Sequence, residues 1–229
     1  MALARLQISL GRIFRQRCFY LFVSLLGLLL ISPFAAATLQ GRILANAAHV
    51  AVLIAAVAAV GRSTLPFVIA LLLGLPAFAF QVLALLNVDE PTHGFVASGG
   101  FYVAFYVAAI VYLLRYAFSP EVMTDDKLFA GAAVYLMLGI GWAIAYSFVQ
   151  QIDPAAFDRR SDGVPHSFSD LLFMSFGYLT SNGPGDVLIL GAKVRMLAIL
   201  EQVVGTLYVA ILIARLAGIY PTKEGKPDA

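Results

Sequence analysis

Seven apolar segments, separated by short polar breaks, account for most of the chain. Six of them, at about residues 18–37, 43–60, 64–86, 95–118, 127–149 and 194–218, lie near or above the roughly 20 apolar residues that cross a bilayer. Each is predicted to be a transmembrane helix. The seventh, Phe168–Leu179, is about half that length and runs into Thr180-Ser181-Asn182-Gly183-Pro184-Gly185-Asp186. The pattern predicts an all-α integral membrane fold, with six transmembrane helices and a re-entrant half-helix and loop between helices 5 and 6.

The breaks carry further signals. Pro66 falls in the first turn of the third span, where proline is tolerated. Pro76 lies inside that span, two residues after Gly74, and predicts a kink. Ser119-Pro120 ends the fourth span, and residues 150–166 form a polar segment with Asp153, Asp158, Arg159, Arg160 and His166. The alanine-rich second span is predicted to pack against protein, because small residues let membrane helices approach closely. Within it Asn46 and His49 share a face, as a proton or ligand site or as an interhelical hydrogen bond.

The half-helix has its own start signal. Ser167 or Ser169 can cap its N-terminus, and Asp170 suits its first turn. At 1.5 Å per residue it is about 15 Å long, half a bilayer, so its negative C-terminal end would point toward the membrane centre and favour a cation there. A glycine-rich extended loop, which Thr180–Asp186 is predicted to form, is tolerated at that depth where its backbone lines a polar path. That is the layout of a pore loop.

Composition agrees with membrane residence: 61% of the 229 residues are hydrophobic and 12% charged, against roughly 25% charged in soluble domains. A net charge of +2 without a basic, aromatic-interleaved stripe argues against nucleic acid as a partner. Cys18 is the one cysteine, which excludes an intrachain disulfide and leaves a small apolar residue at the foot of the first span. With both termini inside, the inner segments hold Arg5, Arg12, Arg15, Arg17, Arg62, Arg115, Lys127, Arg215, Lys223 and Lys226. The outer segments hold Arg42, Arg159, Arg160, Lys193 and Arg195. The excess of inner cations predicts a multi-pass protein of the cell (inner) membrane with cytoplasmic termini.

Residues 1–17 alternate arginine with Leu and Ile, as in a helix lying on the inner leaflet. They can also open a signal peptide, with Ala35-Ala36-Ala37 as its cleavage site. Arg115 is the one charge in the fourth span, so no ladder of voltage-sensing arginines is present. Enzyme chemistry has no support: His49, His93 and His166 look isolated, and no nucleophile set, metal-ligand spacing or phosphate loop is found. No cofactor is expected.

In the last span Glu201 is the one carboxylate deep within a predicted membrane helix. It can brace the half-helix through a hydrogen bond or relay protons. Gly205 reads as a helix bend or as a point of close packing, with Thr206 and Val209 then facing a cavity below the loop.

The run FSDLLFMSFGYLTSNGPGD, followed by a last span beginning near Ala192, resembles the pore domain of the potassium-channel family, whose filter pattern is Thr-Val-Gly-Tyr-Gly-Asp. The resemblance covers residues 127–218 and implies an outer helix, pore helix, filter and inner helix. It implies a carbonyl-lined filter over Thr180, Ser181, Asn182, Gly183, Pro184, Gly185 and Asp186, support from Glu201, and a hinge at Gly205. Asn182 stands for an apolar residue and Pro184 for the bracing aromatic, which leaves cation conduction better supported than potassium selectivity.

One loop per chain implies a homotetramer in the lipid bilayer around a permeant monovalent cation, potassium first, with no soluble ligand domain. The chain divides into a four-helix region with its basic leader (1–126), the pore domain (127–218) and a short polar tail (219–229). A degenerate, non-conducting relative acting as a membrane sensor or assembly partner is the alternative. A transporter is weaker, because only one interrupted helix is evident.

Overall fold

The computed structural model describes residues 16–34, 39–60, 64–86, 94–120, 124–161, 163–183 and 185–217. The basic leader, the Ala35–Ala37 site, Arg62, His93, Pro184 and the polar tail lie outside the described residues.

Among the described residues seven α-helices follow one another: α1 (Arg17–Ile31), α2 (Leu39–Val60), α3 (Thr64–Leu86), α4 (Gly94–Ala117), α5 (Asp125–Ile152), α6 (Phe168–Leu179) and α7 (Ala192–Ala217). No strand occurs among the described residues beyond a single antiparallel bridge between Phe157 and Ile189. Among the described residues four stretches are long and apolar enough to cross a membrane: Arg17–Phe34, Gly100–Ala117, Asp125–Ile152 and Ala192–Ala217. Helices α2 and α3 carry shorter apolar stretches, Ile43–Ala59 and Phe67–Ala79. The protein is therefore all-helical and suited to membrane embedding.

Several boundaries differ from the hydropathy pattern, among them the start of α2 at Leu39 and the end of α5 at Ile152, and two have a clear local reason. Helix α1 stops at Ile31 and gives way to a 3-10 turn, Ser32–Phe34. Pro33 has no N–H and breaks the i→i−4 ladder there. Helix α5 starts two residues early, because Thr124 accepts a hydrogen bond from the Lys127 N–H and Asp125 and Asp126 complement the helix dipole. In α3 the helix is continuous through Pro76, and Gly74 lets the Phe105 ring of α4 approach its backbone.

Helix α5 is the hub, packing against α1, α4, α6 and α7. On α1 the buried positions Cys18, Leu21, Leu25 and Leu28 recur every three or four residues, one stripe of a helix. With Phe105 and Leu113 of α4 and Met137 and Ile140 of α5 they form the main core. The foot of this bundle is tied by Asp126, which accepts hydrogen bonds from the Cys18 N–H at 3.0 Å and the Tyr116 hydroxyl at 2.8 Å. A second core joins Tyr146 of α5, Phe157, Leu171 and Met174 of α6, Val187 and Ala198 of α7. Helix α7 docks on α5 and α6 alone among the main contacts. Leu200, Val203, Val204, Leu207, Ile211 and Ile213 remain exposed along it.

Candidate functional site

Helix α6 begins with a complete capping box. The Ser167 hydroxyl accepts from the Asp170 N–H at 3.2 Å, and the Asp170 carboxylate accepts from the Ser167 N–H at 2.8 Å. This settles the choice between the two serines. The helix has 12 residues, about 18 Å of axial rise.

The N-terminal end of α6 (outer, with the loop end as inner, by position along the helix only) is bound to three other segments. Gln150, near the end of α5, holds the His166 backbone from both sides, its amide donating to the carbonyl at 2.9 Å and accepting from the N–H at 3.2 Å. The His166 ring lies 2.8 Å from Asp158 Oδ1, which also accepts the Leu188 N–H at 2.9 Å. His166 is thus not isolated, as the sequence spacing suggested; the polar segment folds back and buries its ring. Burial opposes the charge on Asp158, but the hydrogen bonds from Leu188 and His166 outweigh it and hold the carboxyl below its ordinary range.

The inner end of α6 is closed differently. Thr180 is its C-cap and Ser181 takes the left-handed conformation, φ +61°. The Ser181 N–H bonds to the Tyr178 carbonyl at 2.9 Å and the Asn182 N–H to the Gly177 carbonyl at 2.8 Å. Together these make a Schellman cap, with serine where glycine is usual. Gly183 donates a further N–H to the Gly177 carbonyl at 3.1 Å. The loop therefore starts as a tight turn, where an extended chain was expected. Asn182 donates from its side chain to the Thr180 hydroxyl at 3.0 Å.

Beyond the turn, Gly183 has φ +104° and Gly185 φ +67°. Both need glycine for their backbone, and Gly185 needs it twice over, since a Cβ there would sit 2.5 Å from the Phe173 ring. Thr180, Ser181, Asn182, Gly185 and Asp186 are exposed. Pro184 lies outside the described residues.

Helix α7 backs the half-helix. Gly205 presses against the end of α6: a Cβ would fall 2.2 Å from the Leu179 carbonyl oxygen. Of the two readings of this glycine, close packing is the one with a contact, and α7 is continuous through it. At the next residue, the Thr206 hydroxyl lies 3.1 Å from that of Ser181 and donates to the Gln202 carbonyl at 2.9 Å. Val209 is exposed on the same helix.

Glu201 is fully buried where α5, α6 and α7 meet. The Tyr146 hydroxyl donates to its Oε2 at 2.7 Å, and its Oε1 lies 2.5 Å from the Ser175 hydroxyl. Ser175 also reaches the Gly139 carbonyl at 2.7 Å. Gly139 has no side chain to obstruct this, and a Cβ there would strike the Phe176 ring. Sequence reasoning found Glu201 but missed Tyr146 and Ser175. The available signal was a lone hydroxyl inside the apolar half-helix, in LLFMSFG.

In α2, His49 Nδ1 donates to the Ala45 carbonyl of its own helix at 3.0 Å, and its ring packs edge-on against Tyr102 and Phe168. It touches the first residue of α6 without joining the polar groups around Glu201. Among the described residues no cluster of three or more His, Cys, Asp or Glu side chains could hold a metal ion. No family model, curated protein or solved structure matches this chain.

Proposed function

We propose that the chain is one subunit of a potassium-channel-like homotetramer that conducts potassium or other monovalent cations across a cell membrane. In this reading α1–α5 and α7 are the six spans, both termini are cytoplasmic, and α6 with the loop after it enters from outside. The observation that carries it is α6 itself: a capped apolar helix of half-bilayer length, wedged between two full-length apolar helices and ending in two positive-φ glycines. The apolar residues left uncovered on α7 support a closed ring of copies, since a lone pore loop encloses nothing.

One observation favours a second reading, a relative that assembles but does not conduct. The Gly177 carbonyl already accepts two loop N–H groups, and Ser181 turns the chain out of the extended form that would aim successive carbonyls at one axis.

Flux through purified protein in liposomes under opposed potassium and sodium gradients separates the two. A reversal potential near that of potassium supports a selective channel, one near zero a non-selective pore, and silence the second reading. A monomer or dimer in native mass spectrometry would sink both the pore and its ring. Replacing Asn182 by Val and Pro184 by Tyr together is expected to raise potassium selectivity.

A further inference from the structure

Counting protons at the buried junction of α5, α6 and α7 gives more than a brace. Three oxygen–oxygen contacts meet there: Tyr146 Oη with Glu201 Oε2, Ser175 Oγ with Glu201 Oε1, and Ser175 Oγ with the Gly139 carbonyl, at 2.7, 2.5 and 2.7 Å. Each needs a hydrogen between its oxygens. The hydroxyls of Tyr146 and Ser175 supply one each, and a backbone carbonyl supplies none. Ser175 has one proton for two short contacts; shared between them it would leave both long, so it goes to the Gly139 carbonyl, which can only accept. The Ser175–Glu201 contact is then left without a hydrogen unless Glu201 brings one. Ser175 and Glu201 are both at 0% exposure, so bulk water does not provide it.

The surroundings point the same way. Among the described residues the polar partners of Glu201 are Tyr146 from α5 and Ser175 from α6, with the Tyr178 phenol of α6 a more distant neighbour. No lysine, arginine or histidine is paired with it, and a buried, unpaired carboxylate is costly. A neutral acid leaves every group in the junction satisfied. It accepts from Tyr146 on one oxygen and donates to Ser175 from the other.

We infer that Glu201 is a protonated, neutral carboxylic acid at neutral pH, and that it acts as a positioning residue which fixes Ser175, and with it the half-helix α6, against the Gly139 carbonyl of α5. The chemistry holds for any assembly of these three helices. Its consequence for conduction rests on the channel reading: the junction then places no fixed negative charge behind the loop. Any field that a cation meets there comes from loop carbonyls and the α6 dipole.

Infrared spectroscopy of the full-length protein tests this without needing current. The wild-type protein at neutral pH is expected to show a protonated-carboxyl C=O band, separate from the amide bands. That band should vanish in Glu201→Gln and move to higher frequency in Ser175→Ala, which removes the acceptor. Glu201→Gln should also keep the thermal midpoint close to that of the wild type, since its amide can donate to Ser175 and accept from Tyr146, whereas Glu201→Ala should lose it. Loss of a carboxylate band in Glu201→Gln, with no acid band in the wild type, would overturn the inference. So would a Gln variant as unstable as the Ala variant. If the Gln variant does not fold, the position of the wild-type band and its shift in Ser175→Ala decide alone. Should the protein carry no current while the acid band is present, the channel reading fails and the protonation stands.

Discussion

The two ends of α6 are held by different means. At its outer end the helix is bonded to distant parts of the chain: Gln150 of α5 grips His166, Asp158 joins His166 to Leu188, and Arg160 approaches Asp170 at 3.5 Å. At its inner end most bonds are local, within Phe176–Gly183, and the tie to another helix is the single hydroxyl contact between Ser181 and Thr206. What fixes the inner end laterally is shape, through the Gly205–Leu179 contact. The helix is anchored mainly by polar bonds to distant segments at one end and mainly by steric fit at the other.

The sharpest way to break this contrast is to fill the steric contact. Gly205→Ala places a Cβ at 2.2 Å from a backbone oxygen that cannot rotate away. Overpacking of this kind costs about 3 kcal/mol, so the variant is expected to lose most of its heat resistance in detergent. Gly139→Ala is the control, because its clash is with the Phe176 ring, which can turn. Equal damage from the two would mean that the inner end is not specifically held by Gly205.

The outer end is tested through Asp158. Asp158→Ala removes an acceptor shared by His166 and Leu188, and hydrogen bonds to a charged group contribute about 2 kcal/mol. The pH dependence has a definite sign. The folded carboxyl has a depressed pKa, so its contribution is complete above the ordinary carboxylate value near 3.9 and is lost as pH falls through the lower, folded value. Acid unfolding curves of the wild type should show that extra loss and those of Asp158→Asn should not. Identical acid limbs would remove Asp158 from the anchor. Ser167→Ala is milder: it deletes the hydroxyl half of the capping box and is expected to cost about 1 kcal/mol by thermal unfolding, with the Asp170 to Ser167 N–H bond retained.

The sequence was most legible where one residue type answers to one local rule. The choice of Ser167 or Ser169 as cap, with Asp170 in the first turn, placed the start of α6 to within two residues, and the glycine-rich loop does take positive φ at Gly183 and Gly185. Apolar length located all seven helices but not their ends: Pro33 and Thr124 overrode it, α2 begins four residues early at Leu39, and α5 runs on to Ile152. Contacts between distant residues were not legible. Tyr146 and Glu201 are 55 residues apart, Gln150 and His166 16, and hydropathy carries nothing about which polar groups in an apolar run will meet. The Schellman cap was missed for another reason. Its signature residue is glycine, and here serine occupies the left-handed position, so Thr180-Ser181-Asn182 read as extended chain.

That serine supplies the smallest effect and the one of opposite sign. A non-glycine residue in the left-handed region is strained by about 1 kcal/mol, so Ser181→Gly relieves strain at the helix end. It also deletes the hydroxyl contact with Thr206, which keeps its own bond to the Gln202 carbonyl, and the larger freedom of glycine in the unfolded chain offsets part of the gain. The net expectation is a stabilisation of about 0.5 kcal/mol, read as a small rise in thermal midpoint, while every outer-end variant lowers it. A fall instead would mean that the Ser181–Thr206 contact outweighs the backbone turn. The inner end would then be held by a bond between helices, as the outer end is, and the two ends would differ in the number of their ties rather than in kind.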